Sequence, residues 1–343
     1  MPSAAPGSAR PRCAQWPRAT TSARPRPRCW HNMPSWAPAP APPRRGGAEM
    51  SDTAPIFLLG LQRGGSDQLH DALRAHRDTV WPEGAIHEVL RPAPVPRAET
   101  LKALASYFPT LLRSGDILNP RCAPGPLRPR DRAWIARELA RATDRNLPEV
   151  RRYKRALAAR GMGPGLPSGR GRMLVEVLNY NIGLATEFDR LYPGARFVGL
   201  VRDPYDTCET MMARGGDPAE IMALYRYFGE TLLRLEQRGL PLKLVRHEDI
   251  VSDLARTVDE VFDHCGFETP ATRGLLPNGR RRRETGRRPA EEALVRGGIS
   301  ALVREDAGKA ASARLAPEVA GMIQQNCAAI IERFGYLAPT VMG

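Results

Sequence analysis

The sequence predicts an α/β protein, with a mainly parallel central sheet flanked by helices on both faces. Three observations lead there. The short runs Ile56–Leu59, Met173–Val177 and Arg196–Val201 are nearly unbroken in apolar character, as strands buried on both faces are. Each is followed by a segment whose apolar residues recur at helical spacing. Glycine or proline punctuates the junctions, at Gly60, at Pro193-Gly194 and at Pro204.

Taken in order, residues 1–49 are dense in Pro, Arg, Ala and Ser and lack apolar periodicity, so they cannot bury enough surface to offset the entropy of ordering. A disordered leader over 1–50 and one folded domain over 51–343 are expected. The leader is Arg-rich and acid-poor like an organellar transit peptide, yet its prolines oppose an amphipathic helix. Met50 is read as the functional start, and mass analysis of the endogenous N-terminus tests that. The first strand, Ile56–Leu59, runs into a glycine turn and a helix carrying Leu69, Ala72 and Leu73. After a turn and a short extended piece around Val80, prolines at 92, 94 and 96 exclude regular helix. Helices are expected over 100–112, 131–143 and 148–160, the last two basic on their outer faces. Residues 161–172 read as a loop. The second strand, Met173–Val177, is followed by a helix over 182–192, and the third, Arg196–Val201, by one from Pro204 to about Arg214. A long helix over Pro218–Gln237 leads to a fourth strand, Leu242–Val245.

Composition bounds the partners. The 343 residues carry a net charge of +14, and 42% are hydrophobic, enough for a sizeable core. Eight arginines against Glu49 in residues 1–49 account for +7, leaving +7 for the remainder. That suits a multiply phosphorylated small molecule. A nucleic-acid partner is not expected, because no aromatic-interleaved basic surface is present. The six cysteines show neither a paired C-x-x-C nor a His/Cys cluster, so no metal site or disulfide framework is expected and a reducing, cytoplasmic setting is the simpler assumption. No run of 18 apolar residues predicts a membrane span.

The segment Pro55–His76 reads as an anion cradle. Gly60, Gly65 and Ser66 fall on the frame of an ATP phosphate loop, but its lysine is missing and Arg63 supplies a charge inside the loop instead. Adjacent Gly64 and Gly65 let a phosphate approach backbone N–H groups, and the Ser66 hydroxyl is expected to cap the following helix. A second anion site is read at Arg202-Asp203-Pro204, directly after a strand, with Thr210 eight residues beyond the arginine and Asp203 as helix N-cap. Two anion sites on one sheet suggest a nucleotide phosphorylated at both ends.

These residues resemble the sulfotransferases that use 3′-phosphoadenosine 5′-phosphosulfate (PAPS). Arg63-Gly64-Gly65-Ser66-Asp67 is similar to the family's R-S-G-T-T loop. Phe197–Pro204 with Thr210 resembles F-I-x-L-V-R-D-P and its later hydroxyl, Leu244–Ile250 resembles V-R-Y-E-D-L, and Phe334-Gly335-Tyr336 resembles L-G-Y. The likeness is collinear from about residue 55 to 337. It implies a three-layer P-loop-like fold and transfer of a sulfuryl group from PAPS, without a metal, to a small-molecule or glycan acceptor through its hydroxyl or amine. It implies that Gln62, Arg63, Gly64, Gly65, Ser66 and Asp67 hold the 5′-phosphosulfate, with Arg202, Thr210 and a basic loop containing Arg287 on the 3′-phosphate. Trp81-Pro82-Glu83 resembles a P-P-E element, which makes Glu83 the first candidate for the base, with His87 and Glu88 as rivals. The chain departs from the family pattern at three places: Asp67 and Gln68 replace a hydroxyl and an apolar residue, Glu176-Val177-Leu178-Asn179 lacks the lysine of E-K-[ST]-P, and Thr210 replaces serine. The alternative to an enzyme is a catalytically inactive, nucleotide-binding or interaction protein of the same fold.

Overall fold

The computed structural model describes residues 54–62, 64–90, 124, 127–159, 171–267 and 315–336. Within them the chain runs β1 (Ile56–Gly60), α1 (Ser66–Ala75), β2 (Thr79–Val80), α2 (Ile86–Val89), α3 (Pro129–Ala158), β3 (Arg172–Leu178) and a 3₁₀ turn over Asn179–Leu184. It continues through α4 (Ala185–Leu191), β4 (Arg196–Val201), α5 (Pro204–Met212), α6 (Pro218–Gln237), β5 (Leu242–Arg246), α7 (His247–Ser252), α8 (Leu254–Cys265) and α9 (Pro317–Phe334).

All strand pairs are parallel, in the order β2-β3-β1-β4-β5. Side chains of a strand alternate between faces, and here both faces are covered. Phe57 and Leu59 of β1, Val175 and Val177 of β3, and Phe197 and Val201 of β4 enter one core with the N-terminal half of α3 and with α4, α5, α6 and α9. Ile56, Leu58, Leu174, Val198 and Leu200 enter the other, against α1, the C-terminal half of α3, α7 and α8. The result is a three-layer α/β fold of the P-loop-like type, and it explains why the strand runs are apolar throughout. Phe57 lies between Phe188 at 4.5 Å and Phe197 at 5.4 Å, locking β1 and β4 to the α4 layer.

The elements depart from expectation in instructive ways. Two helices expected on either side of Pro148 are one, α3, which continues through the proline. A helical proline forfeits one hydrogen bond and strains the preceding turn. Burial of Leu139, Ala142, Val150 and Leu157 along one side, together with the bond from Asn146 Nδ2 to the Trp81 carbonyl at 2.9 Å, offsets that cost. Arg137, Arg141, Arg145, Arg151, Arg152 and Arg155 occupy its exposed side, so the basic outer face is as expected. The helix expected over 182–192 begins instead as a 3₁₀ turn at Asn179, whose φ of 58° breaks the chain direction. The extended piece near Val80 is a genuine edge strand paired with β3. The helix expected over 100–112 and the Arg280–Arg288 loop lie outside the described residues.

The topology also sets where crevices open along the sheet. From β1 the chain goes to the edge strand β2, returns to β3 between them, and then passes to β4 and β5 on the other side of β1, so the two halves of the sheet meet at β1. Crevices open beyond the carboxyl ends of strands at such points.

Candidate anion-binding site at the carboxyl edge of the sheet

The loop after β1 is held by a backbone bond within itself and by a side chain from the turn that follows β3. The Gly64 amide donates to the Leu61 carbonyl at 2.9 Å, and the Gln62 amide to Asn179 Oδ1 at 2.9 Å. Gly65 then takes a left-handed conformation, φ 87°, and α1 starts at Ser66. A Cβ at Gly65 would collide with the His247 imidazole at a left-handed φ, so that position requires glycine, while one at Gly64 would lie 3.1 Å from the Leu61 carbonyl, a tight contact. The amides of the first helical turn have no acceptor within α1, which leaves its N-terminus as the anion-facing end of this loop.

Ser66 does not cap α1. As the first helical residue it turns its hydroxyl toward the sheet and donates to Glu176 Oε1 at 3.0 Å, while Gly65 occupies the cap position. The capping expectation is therefore corrected: the helix begins one residue earlier than a serine cap requires. Glu176 and Asn179, noticed in the sequence only for the lysine missing between them, are the residues that hold the loop from β3. Glu176 as the one carboxylate in an apolar strand run was the available signal. Val177, in the place of that lysine, is wholly buried in the core. Asp67 is exposed at the second helical position, where a carboxylate complements the helix dipole.

The second subsite follows β4, the direct neighbour of β1. Asp203 caps α5 as expected, its Oδ1 accepting from the Tyr205 amide at 2.7 Å. Burial raises its carboxyl to about 6, with the negative charges of Asp206 and Glu248 adding to the shift. Arg202 Nη2 lies 3.6 Å from Asp206 Oδ2, and Thr210, one turn beyond Asp206, shares that side of the helix. Its Oγ1 donates to the Asp206 carbonyl at 2.7 Å, so the hydroxyl has to turn from that carbonyl to donate to a phosphate.

Between the two subsites sits His247, the first residue of α7. It is 8% exposed, its ring lies over Gly65, and burial together with the Arg202 charge lowers it to about 4, against a smaller opposing effect of Asp206. A neutral imidazole thus joins the loop to the arginine. In the sequence it was visible only as a histidine standing where the family motif has tyrosine.

Glu83 is exposed, three residues beyond β2. Two strand spacings, roughly 10 Å, separate β2 from β1 along the carboxyl edge. His87 and Glu88 are half-buried on α2, and Glu88 Oε2 accepts from the Ala85 amide at 2.9 Å, so that carboxylate serves its own helix start. Arg63 and Arg287 lie outside the described residues.

The Sulfotransferase family model matches residues 55–271, more than half of the chain, and the chain belongs to that family. Among curated proteins none matches it. Among solved structures it is similar to the sulfotransferase domain from the Synechococcus PCC 7002 olefin synthase, at 18% identity over 86% of this chain and 100% of that one, with a TM-score of 0.47. It is also similar to sulfotransferase STF1 from Mycobacterium tuberculosis H37Rv, at 16% identity over 64% and 69% of the two chains, TM-score 0.39. Mouse sulfotransferase SULT7A1 complexed with PAP is similar at 8% identity over 83% and 89%, TM-score 0.39. Among the described residues, no helix is long and apolar enough to cross a membrane.

Proposed function

We propose that this protein transfers a sulfuryl group from PAPS to a hydroxyl or amine of a small-molecule or glycan acceptor. One observation carries the reading: two anion subsites stand side by side at the ends of paired parallel strands, the α1 N-terminus after β1 and Arg202 after β4, with His247 between them. A nucleotide bearing phosphate at both ends would present one charged end to each of them. The residues fit such a ligand, because the left-handed turn at Gly65 leads directly into the α1 N-terminus, whose first-turn amides have no acceptor within the helix, and Arg202 supplies a fork of donors.

The donor, when bound, supplies an activated sulfuryl group attached through a phosphosulfate bridge. The chain's own residues then have distinct tasks. Arg63 and the first-turn amides at Gly65, Ser66 and Asp67 hold the phosphosulfate end and stabilise the negative charge that grows on the leaving phosphate. Arg202 and Thr210 hold the other phosphate and so fix the reacting group against the acceptor. Arg287 adds charge to the same end. In the transfer, a bond forms from acceptor oxygen or nitrogen to sulfur, the bond from sulfur to the phosphate oxygen breaks, and the acceptor's proton passes to a base. Glu83 is the first candidate for that base. Its exposure leaves it accessible to an acceptor, whereas Glu88 is engaged at its own helix start. His87 remains the rival.

The test is transfer of labelled sulfate from PAPS to pooled hydroxyl and amine acceptors. Transfer that Arg202→Ala lowers about ten- to a hundredfold at subsaturating PAPS and Glu83→Gln slows by about a hundredfold or more supports the reading. Nucleotide binding without transfer to any pool would instead favour the inactive alternative.

A further inference from the structure

We propose that Glu248 and Tyr336 are positioning residues for Arg202, so that the end of helix α9 sets how tightly the second subsite grips a terminal phosphate. The inference rests on the functional reading of that subsite given above.

The geometry is a clamp on one peptide unit. Glu248 Oε1 accepts from the Asp203 amide at 2.9 Å, and its Oε2 accepts from the Tyr336 hydroxyl at 3.0 Å. On the other side of the same peptide, the Tyr225 hydroxyl of α6 donates to the Arg202 carbonyl. Both polar atoms of the Arg202–Asp203 link are therefore held by side chains, one from α7 and one from α6. This link aims the arginine, since its orientation sets the direction in which the Arg202 side chain leaves the strand end.

Tyr336 is itself placed by the end of α9. Gly335, in a left-handed conformation at φ 66°, ends the helix, and the Tyr336 amide bonds back to the Ile331 carbonyl at 3.0 Å. Arg246, the last residue of β5, lies 5.0 Å from the Tyr336 ring centroid, and its Nε is 3.8 Å from Glu248 Oε2. The chain's last described residue thus reaches across the molecule to an anion subsite formed some 130 residues earlier in the sequence.

The identity of Glu248 matters as much as its contacts. A carboxylate near a phosphate site opposes binding through space, and it already lies beside Asp203 and Asp206. Bonding both oxygens to donors and setting Arg246 alongside contains that charge. A carboxylate with two acceptors is the side chain that can hold the amide and the phenol together.

The relay is tested by calorimetric titration with 3′,5′-bisphosphoadenosine and, separately, with adenosine 5′-phosphate, which lacks the second phosphate. The proteins are wild type, Tyr336→Phe, Glu248→Ala and Glu248→Gln, each checked for its thermal midpoint. Tyr336→Phe keeps the ring over Arg246 and deletes only the hydroxyl. It should weaken the bisphosphate about three- to tenfold and leave the monophosphate unchanged. Glu248→Ala should weaken the bisphosphate further, and Glu248→Gln, which keeps a carbonyl oxygen for the Asp203 amide, should recover most of it. Unchanged bisphosphate affinity in Tyr336→Phe and Glu248→Ala, or parallel loss of both nucleotides, overturns the relay. Failure of the wild type to bind the bisphosphate overturns the functional reading beneath it, and the two failures are distinct in the data.

Discussion

At the scale of residues, the site depends on one backbone conformation and two shifted side chains. Gly65→Ala places a Cβ at φ 87° and against His247, so the loop must move. The expected outcome is a loss of roughly 1–3 kcal/mol of stability in chemical denaturation, with nucleotide binding abolished. Retained binding would show that the loop adopts another conformation when it works. Asp203 and His247 shape the pH dependence in opposite senses. Folded Asp203 holds its proton more tightly than the unfolded chain, so its contribution is full below about 3.8 and is lost as pH rises through about 6. Asp203→Asn keeps the cap and removes the titration. Its thermal midpoint relative to wild type should therefore climb between pH 4 and 6 and level off above. A difference that is flat with pH would contradict the buried carboxyl. His247 is lowered to about 4, so its contribution is present above about 6.5 and falls away as pH drops toward 4. His247→Gln should remove that acid-side loss in the same measurement.

At the scale of elements, the close approach of α6 and α9 matters most. A Cβ at Gly229 of α6 would run into the Ile330 side chain of α9, and Ile323, Cys327 and Ile330 are all buried there. Gly229→Ala should cost about 1–3 kcal/mol through overpacking and, by displacing α9, weaken binding at the Arg202 subsite more than at the loop. Denaturant melts combined with titration of the two adenosine phosphates check both halves. Elements such as β1, β4 and α6 were legible in the sequence because their signals are local: an apolar run, a flanking glycine or proline, a helical period. The unity of α3 was not, because what carries the helix past Pro148 is burial on its far side and a bond from Asn146 to Trp81, contacts that join residues 65 positions apart. The same limit applies to Ser66, whose partner Glu176 is 110 residues away.

At the scale of the whole molecule, the sheet order brings together what the chain separates. The loop after β1, the turn after β4 and the start of α7 are far apart in sequence, and only the β3-β1-β4-β5 arrangement places them along one edge. The two anion motifs themselves were readable, since each pairs a strand end with an arginine or with glycines and a hydroxyl. How they are supported was not: Asn179, Glu248 and Tyr336 fall in segments compared with family motifs and Tyr225 in none, yet nothing local marks that Glu248 would hold the Asp203 amide or Tyr336 the Glu248 carboxylate, since those contacts join distant elements. Asp67 stands exposed in the first turn of α1, the helix end assigned to the anion, so its carboxylate opposes an anion there unless a cation pairs with it.

The central claim is that one nucleotide phosphorylated at both ends spans the α1 N-terminus and Arg202. The most direct measurement is calorimetric titration of the wild type and Arg202→Ala with 3′,5′-bisphosphoadenosine. The account predicts one site per chain, with affinity reduced about ten- to a hundredfold in Arg202→Ala, as loss of a charge-assisted phosphate contact requires. Absence of binding by the wild type, or equal affinity in the two proteins, would contradict it.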